Sequence, residues 1–152
     1  MTSIIDFENE HQPAFKALNY EWLNKYFAIE PIDEKVLSNP KDEIIATGGK
    51  IFCAKLNNEI IGTVALIKRD DHYELSKMAV TEKYQGLGIG ALLMEHIIQW
   101  TKAEEIPYLL LYSHSKLTRA LKLYEKFGFQ RTTIDNPLYK RADVIMELNL
   151  TA

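Results

Sequence analysis

The chain has 152 residues, with 18 basic and 21 acidic side chains and a formal net charge of −3. It is 47% apolar and 26% charged, the proportions of an ordinary soluble domain, and its length suits one domain that buries about two-thirds of its unfolded-chain surface. A mildly acidic balance argues against a general nucleic-acid binder, whose affinity comes from many Lys and Arg contacts to phosphate, and no apolar run approaches the roughly 18 residues of a membrane span.

The single cysteine, Cys53, precludes an internal disulfide and any multi-cysteine metal site, so no metal is expected. Asp6, Glu8 and Glu10 stand where an export signal needs basic and then apolar residues. With the cysteine count this gives a cytoplasmic location as the expectation.

Pro13 to Ala28 reads as a helix, with Phe15, Leu18, Trp22 and Tyr26 at spacings of three and four and Pro13 in its first turn. Pro31 closes that segment, and a short helix follows from Asp33 to Leu37. Ile51 to Leu56 and Glu59 to Lys68 are strands, joined by Asn57-Asn58, whose side chains tolerate positive φ. Arg69-Asp70-Asp71 turns the chain into a strand from Tyr73 to Val80, which completes an antiparallel meander. Ile89, Leu93, Ile97 and Trp100 then mark one face of a helix running to about Glu105, followed by a strand from Pro107 to Tyr112. A last helix, Lys116 to Phe127, groups Leu117, Ala120, Leu121 and Tyr124, with Gly128 where a helix end favours positive φ. Phe129 to Thr132 and Val144 to Leu148 finish as strands. The order from the meander onward, β-β-β-α-β-α-β-β, predicts a mixed α/β fold in a single domain over residues 1–152, with helices packed on the sheet.

The chemistry is concentrated between Glu74 and Gly90. Gly86, Gly88 and Gly90 lie between a strand and the start of a long helix, where successive amides and the helix dipole suit a pyrophosphate. Gly86, Gly88 and Ala91 also satisfy the glycine fingerprint of dinucleotide-binding folds. Against that reading, the first glycine comes six residues after Val80, and the next strand ends in Ser113-His114-Ser115 with no acid for a ribose hydroxyl.

Gln85, Gly88 and Gly90, following Met78-Ala79-Val80, resemble the Gln/Arg-x-x-Gly-x-Gly/Ala signature of the GNAT superfamily of acyl-coenzyme A-dependent N-acetyltransferases. Leu123-Tyr124-Glu125-Lys126-Phe127-Gly128-Phe129 resembles that family's second motif at the expected distance downstream. Within the superfamily, the run Glu21 to Phe27, Glu30-Pro31, Gly48-Gly49 and Arg141-Ala142-Asp143 resembles a single-domain bacterial subgroup. The resemblance implies a central mixed, mostly antiparallel sheet of about six to seven strands flanked by about four helices.

It further implies acetyl-coenzyme A as co-substrate and direct transfer to a primary amine in a ternary complex. The cofactor's phosphates would rest on the segment Gln85, Gly86, Leu87, Gly88, Ile89 and Gly90. Its pantetheine arm would pair with Met78, Ala79 and Val80, and Tyr124 would contact it and protonate the leaving thiolate. Counting by twos places Glu74, Ser76, Met78 and Val80 on one strand face, which makes Glu74 the candidate base and His72 its reserve.

Two positions depart from the family pattern: Leu117 where many members carry Asn, and His114, a loop histidine within reach of cofactor or substrate. The acidic and aromatic segment Glu21, Trp22, Tyr26, Phe27, Glu30, Asp33 and Glu34 reads as a solvated helix face that is also able to hold a cation. The expected partner is a small-molecule or peptide amine, with no nucleic acid or membrane, and a homodimer is allowed. The competing functions are a non-catalytic acyl-coenzyme A sensor on the same fold and a dinucleotide-binding oxidoreductase.

Overall fold

In the computed structural model, which describes residues 1–133 and 141–151, one seven-stranded sheet carries helices on both faces. The strands are β1 (Ser3–Asp6), β2 (Lys50–Leu56), β3 (Glu59–Lys68), β4 (Tyr73–Val80), β5 (Tyr108–Ser113), β6 (Gln130–Thr132) and β7 (Val144–Asn149). The helices are α1 (Gln12–Tyr26), α2 (Pro31–Ser38), α3 (Ile89–Ala103) and α4 (Thr118–Lys126). Strand order is β1-β2-β3-β4-β5-β7-β6, and every neighbouring pair is antiparallel except β4 and β5. The mixed, mostly antiparallel sheet with about four flanking helices is therefore present as expected.

Two apolar clusters bind the layers together. On one face Ile89, Leu93, Met94 and Ile97 of α3 and Leu121 of α4 pack against Phe52, Ile61, Leu66, Leu75, Leu109 and Leu111 of the sheet. On the other, Phe15 and Leu23 of α1 and Leu37 of α2 close over Ile51, Ala65 and Ile67. Each such side chain contributes about 1.5–3 kcal/mol by leaving water. Cys53 is fully buried in β2, and burial pushes its thiol up to about 12, the Thr63 hydroxyl opposing the shift.

Local chemistry explains the turns. Asn57 and Asn58 both have positive φ, 49° and 64°, which gives the β2–β3 hairpin a turn matched to the strand twist. Gly49 is required by contact: a Cβ there would lie 2.3 Å from the Leu66 carbonyl oxygen and 2.7 Å from that of Ile44. That close approach seats the π-helical turn Lys41–Ile45 on β3.

Four sequence expectations are corrected. Pro31 opens α2 in its first turn, because Asp33 Oδ2 accepts the Glu30 N–H at 2.9 Å and caps that helix. The strand β1 pairs with β2 and adds an edge that its four residues do not advertise by alternation. The buried stripe of α1 is Phe15, Leu18, Asn19 and Leu23, while Tyr26 is exposed. Lastly, two-residue counting along β4 breaks at Lys77. Thr63 pairs with Ala79 but Ala65 pairs with Ser76, so one extra residue bulges from β4, and Lys77 takes φ 54°.

Candidate active site

The site begins where β4 and β5 part. Their parallel ladder has two pairs, Tyr73 with Leu109 and Glu74 with Leu110. Among the described residues the β4–β5 ladder does not continue beyond Glu74. The gap widens into a cleft of about 870 Å³, floored by Leu75 to Val80 of β4 and Tyr112 and Ser113 of β5.

One wall is the glycine loop and the start of α3. Gly86 and Gly88 both have φ 81°, and a Cβ added at either would meet nothing within 4 Å. The protein needs glycine there for backbone conformation, and the open space leaves room for a ligand to approach the amides. Gly88 caps α3, whose first-turn amides have no intrahelical acceptor. Gly90 serves packing: its Cβ position lies 3.1 Å from Leu123 Cδ2, which lets α3 meet α4 closely. Gln85 ties the loop to the strand end, donating to the Val80 carbonyl at 2.9 Å and accepting from Arg119 at 3.3 Å.

The second wall is α4. Leu117, Ala120, Leu123 and Tyr124 line the cleft, and the Tyr124 ring packs 5.9 Å from that of Phe129. Burial alone pushes the Tyr124 phenol up to about 12, so it stays protonated at neutral pH.

The third wall comes from the far side of the sheet. Trp22, Tyr26 and Phe27, at the end of α1, line the cleft, and Trp22 also packs against the α1–α2 core cluster. Phe27 is their hub: the His114 ring meets it edge-on at 5.2 Å, Lys116 Nζ lies 5.2 Å above it and the Arg141 guanidinium 5.9 Å from it. Arg141 is clamped by Asp33, at 2.8 and 2.9 Å, and by Glu30 at 2.7 Å. Burial would raise the Asp33 carboxyl, but Arg141 and the Glu30 N–H hold it below its ordinary value. His114 accepts the Lys116 N–H at Nδ1 and has Nε2 3.4 Å from Asp143, itself fixed by Ser115.

Met78, Ala79, Val80, Gln85, Gly86, Gly88, Ile89, Gly90 and Tyr124 thus converge on one cleft. Leu87 does not line it; that side chain is exposed at the loop tip. Glu74 is also elsewhere. Because of the bulge it shares a face with Ser76 and Ala79 rather than with Met78 and Val80, and its buried carboxylate accepts Arg69 Nε at 3.0 Å and Nη2 at 2.7 Å. His72 is paired with Asp71 and stacked on Tyr108, away from the cleft lining. The sequence reading missed Lys77, Lys116 and Arg141 as lining residues; a lysine inside an apolar strand was the available signal for Lys77.

Comparisons with known proteins bear on the family and the fold. The chain resembles the alanine N-acetyltransferase of ribosomal protein bS18 from Escherichia coli K12, at 33% identity over 73 residues, 48% of this chain and 49% of that one. The chain spans half or less of the length of the first curated relatives it matches. An acetyltransferase of the GNAT family from Staphylococcus aureus Mu50 has the same fold, with a TM-score of 0.90 over 99% of both chains at 23% identity. So does the PaiA N-acetyltransferase from Thermoplasma acidophilum, solved in complex with coenzyme A, with a TM-score of 0.77 over 98% of this chain and 99% of that one at 20% identity. The family model for the acetyltransferase (GNAT) family matches residues 10–129, and the chain belongs to that family.

Proposed function

We propose that this protein transfers the acetyl group of acetyl-coenzyme A directly to a primary amine while both are bound. The observation that carries the reading is the convergence, on one cleft, of two parallel strands whose ladder ends at Glu74 among the described residues, a glycine-relaxed helix start and a buried phenol. The amides from Gln85 to Gly90 would hold the pyrophosphate, with Arg119 beside them. Met78 to Val80 would pair with the pantetheine arm, and an amide at the end of β4 would polarise the thioester carbonyl.

In the transfer, the amine nitrogen forms its bond to the acetyl carbon as the carbon–sulfur bond breaks. Tyr124 gives its proton to the sulfur and recovers one from solvent. Burial keeps the phenol protonated at neutral pH, so a proton is there to give. Among the described residues no carboxylate lines the cleft, and both ring nitrogens of His114 have partners, so the amine's proton passes to water. Glu74 then acts as a brace for the β3–β4 turn through Arg69.

Two measurements test this. Acetyl-coenzyme A should raise the melting temperature where NAD does not; the reverse would establish the dinucleotide reading. Thiol release across an amine panel should fall at least about 100-fold in Tyr124→Phe. Unchanged turnover would remove Tyr124 from the chemistry, and acetyl-coenzyme A binding with no turnover of any amine would favour a sensor.

A further inference from the structure

The cleft has a charge sign that the sequence did not suggest. Every charged side chain that lines it among the described residues is basic: Lys25, Lys77, Lys116, Arg119, Lys126 and Arg141. The whole chain has net charge −3, so this is a local concentration. The acids of the neighbouring segment are turned to other uses. Glu21 binds Thr81 Oγ1 and the Glu82 N–H, Glu30 and Asp33 clamp Arg141, and Glu34 accepts from Tyr20.

The cations fall into two groups. Arg119 and Lys126 belong to α4, and Arg119 reaches Gln85 at the glycine-loop end, where the proposed cofactor's phosphates would lie. Lys116 and Arg141 lie against the Phe27 ring, and Lys25 and Lys77 complete the basic lining. Lys25 is paired with Glu82 at 2.8 Å and Arg141 with two acids, while Lys77 sits in the field of Asp33. Lys116 differs. Its ammonium is held by the Phe27 ring and by the Tyr26 carbonyl at 3.4 Å, and among the described residues no carboxylate comes within 4.0 Å of it. An aromatic face and a carbonyl position a cation without neutralising it.

Resting on the acetyl-transfer reading, we propose that the acceptor amine also carries an anionic group, carboxylate or phosphate, which docks against Lys116 at the Phe27 end of the cleft. A polyamine meets the opposite situation. Its second ammonium would lose water beside like charges with no carboxylate in the lining to replace that water.

The test follows thiol release from acetyl-coenzyme A with matched acceptors. These are α-amino and longer ω-amino acids against their carboxamides, phosphoethanolamine against ethanolamine, and spermidine as the polycation. In the best pair the anionic member should have a kcat/KM at least about tenfold higher, shrinking as salt is raised. The pair that shows it tells carboxylate from phosphate. Lys116→Gln should cut that ratio about tenfold, chiefly through the KM of the anionic member, and Lys116→Glu should invert it. Equal or faster turnover of the uncharged members or of spermidine, or a ratio unmoved by Lys116→Gln, overturns the proposal while leaving acetyl transfer intact. If acetyl-coenzyme A neither stabilises the protein nor releases thiol with any amine, the transferase reading itself has failed and the proposal falls with it.

Discussion

Arg141→Gln isolates the ion cluster that joins α2 to the cleft. Asp33 has a fully buried carboxylate, and Arg141 and Glu30 are 14% and 22% exposed. Removing one partner of a buried pair costs about 3–5 kcal/mol, because the remaining charge stays out of water. Lys77 still acts on Asp33, and the Glu30 N–H still donates to it, which argues for the lower end, about 3 kcal/mol. For a chain of this size that is a fall in melting temperature of about 6–12 °C. The effect depends on pH with a definite sign. In the parent protein Asp33 titrates below its ordinary value, so its contribution is present above that value and is lost as pH falls through the depressed one. In the variant burial dominates and Asp33 titrates higher, so the gap between the two proteins should narrow from pH 7 toward pH 3. Adding Asp33→Asn should restore about 1–2 kcal/mol by removing the stranded charge. Thermal unfolding followed by circular dichroism at several pH values measures all of this. A cost below about 1 kcal/mol at pH 7, as for a surface pair, or a gap that ignores pH, would refute the reasoning.

Further outcomes follow from single positions. Ultraviolet difference titration should show two tyrosines, Tyr20 and Tyr124, ionising near 12 and one fewer in Tyr124→Phe, with stability falling between pH 10 and 12 as the unfolded chain gives up the Tyr124 proton first. Gly88→Ala should cost about 1–2 kcal/mol through its positive φ alone, and Gly88→Asn less, so a larger loss of acetyl-coenzyme A binding in both would report ligand contact at the open Cβ position. Gly49→Ala should cost at least about 3 kcal/mol in denaturant unfolding, since its Cβ would overlap two carbonyl oxygens. Glu74→Gln should lower stability by about 2 kcal/mol yet leave kcat within about twofold; a kcat loss of a hundredfold would return Glu74 to the chemistry.

The parts of the fold that obey short-range rules were readable. The Asn57-Asn58 hairpin, the apolar face of α3 and the positive φ of Gly128 each depend on a few adjacent residues. The glycine loop was readable for the same reason, since three alternate glycines before an amphipathic helix have a local meaning. What escaped depends on tertiary placement. The aromatic residues of α1 continue its helical spacing, yet Leu23 takes the core position, Tyr26 is exposed at the cleft and Trp22 borders both core and cleft. The bulge at Lys77 reversed the strand parity on which the role of Glu74 rested, and no neighbouring glycine announced it. Arg141 and Asp143 stood in the sequence as a motif without a role. Their partners, Asp33 and Ser115, are 108 and 28 residues away.

The two rungs between β4 and β5 have a mechanical consequence. Among the described residues they are the only ladder joining the four-strand block β1 to β4 to the three-strand block of β5, β7 and β6, so the sheet is two plates on a narrow seam. A ligand that lay along the open edge of β4 would bridge the plates in the way a strand does. Amide exchange should then slow on Leu75–Val80 and also on β5 and β7, which such a ligand would not need to touch.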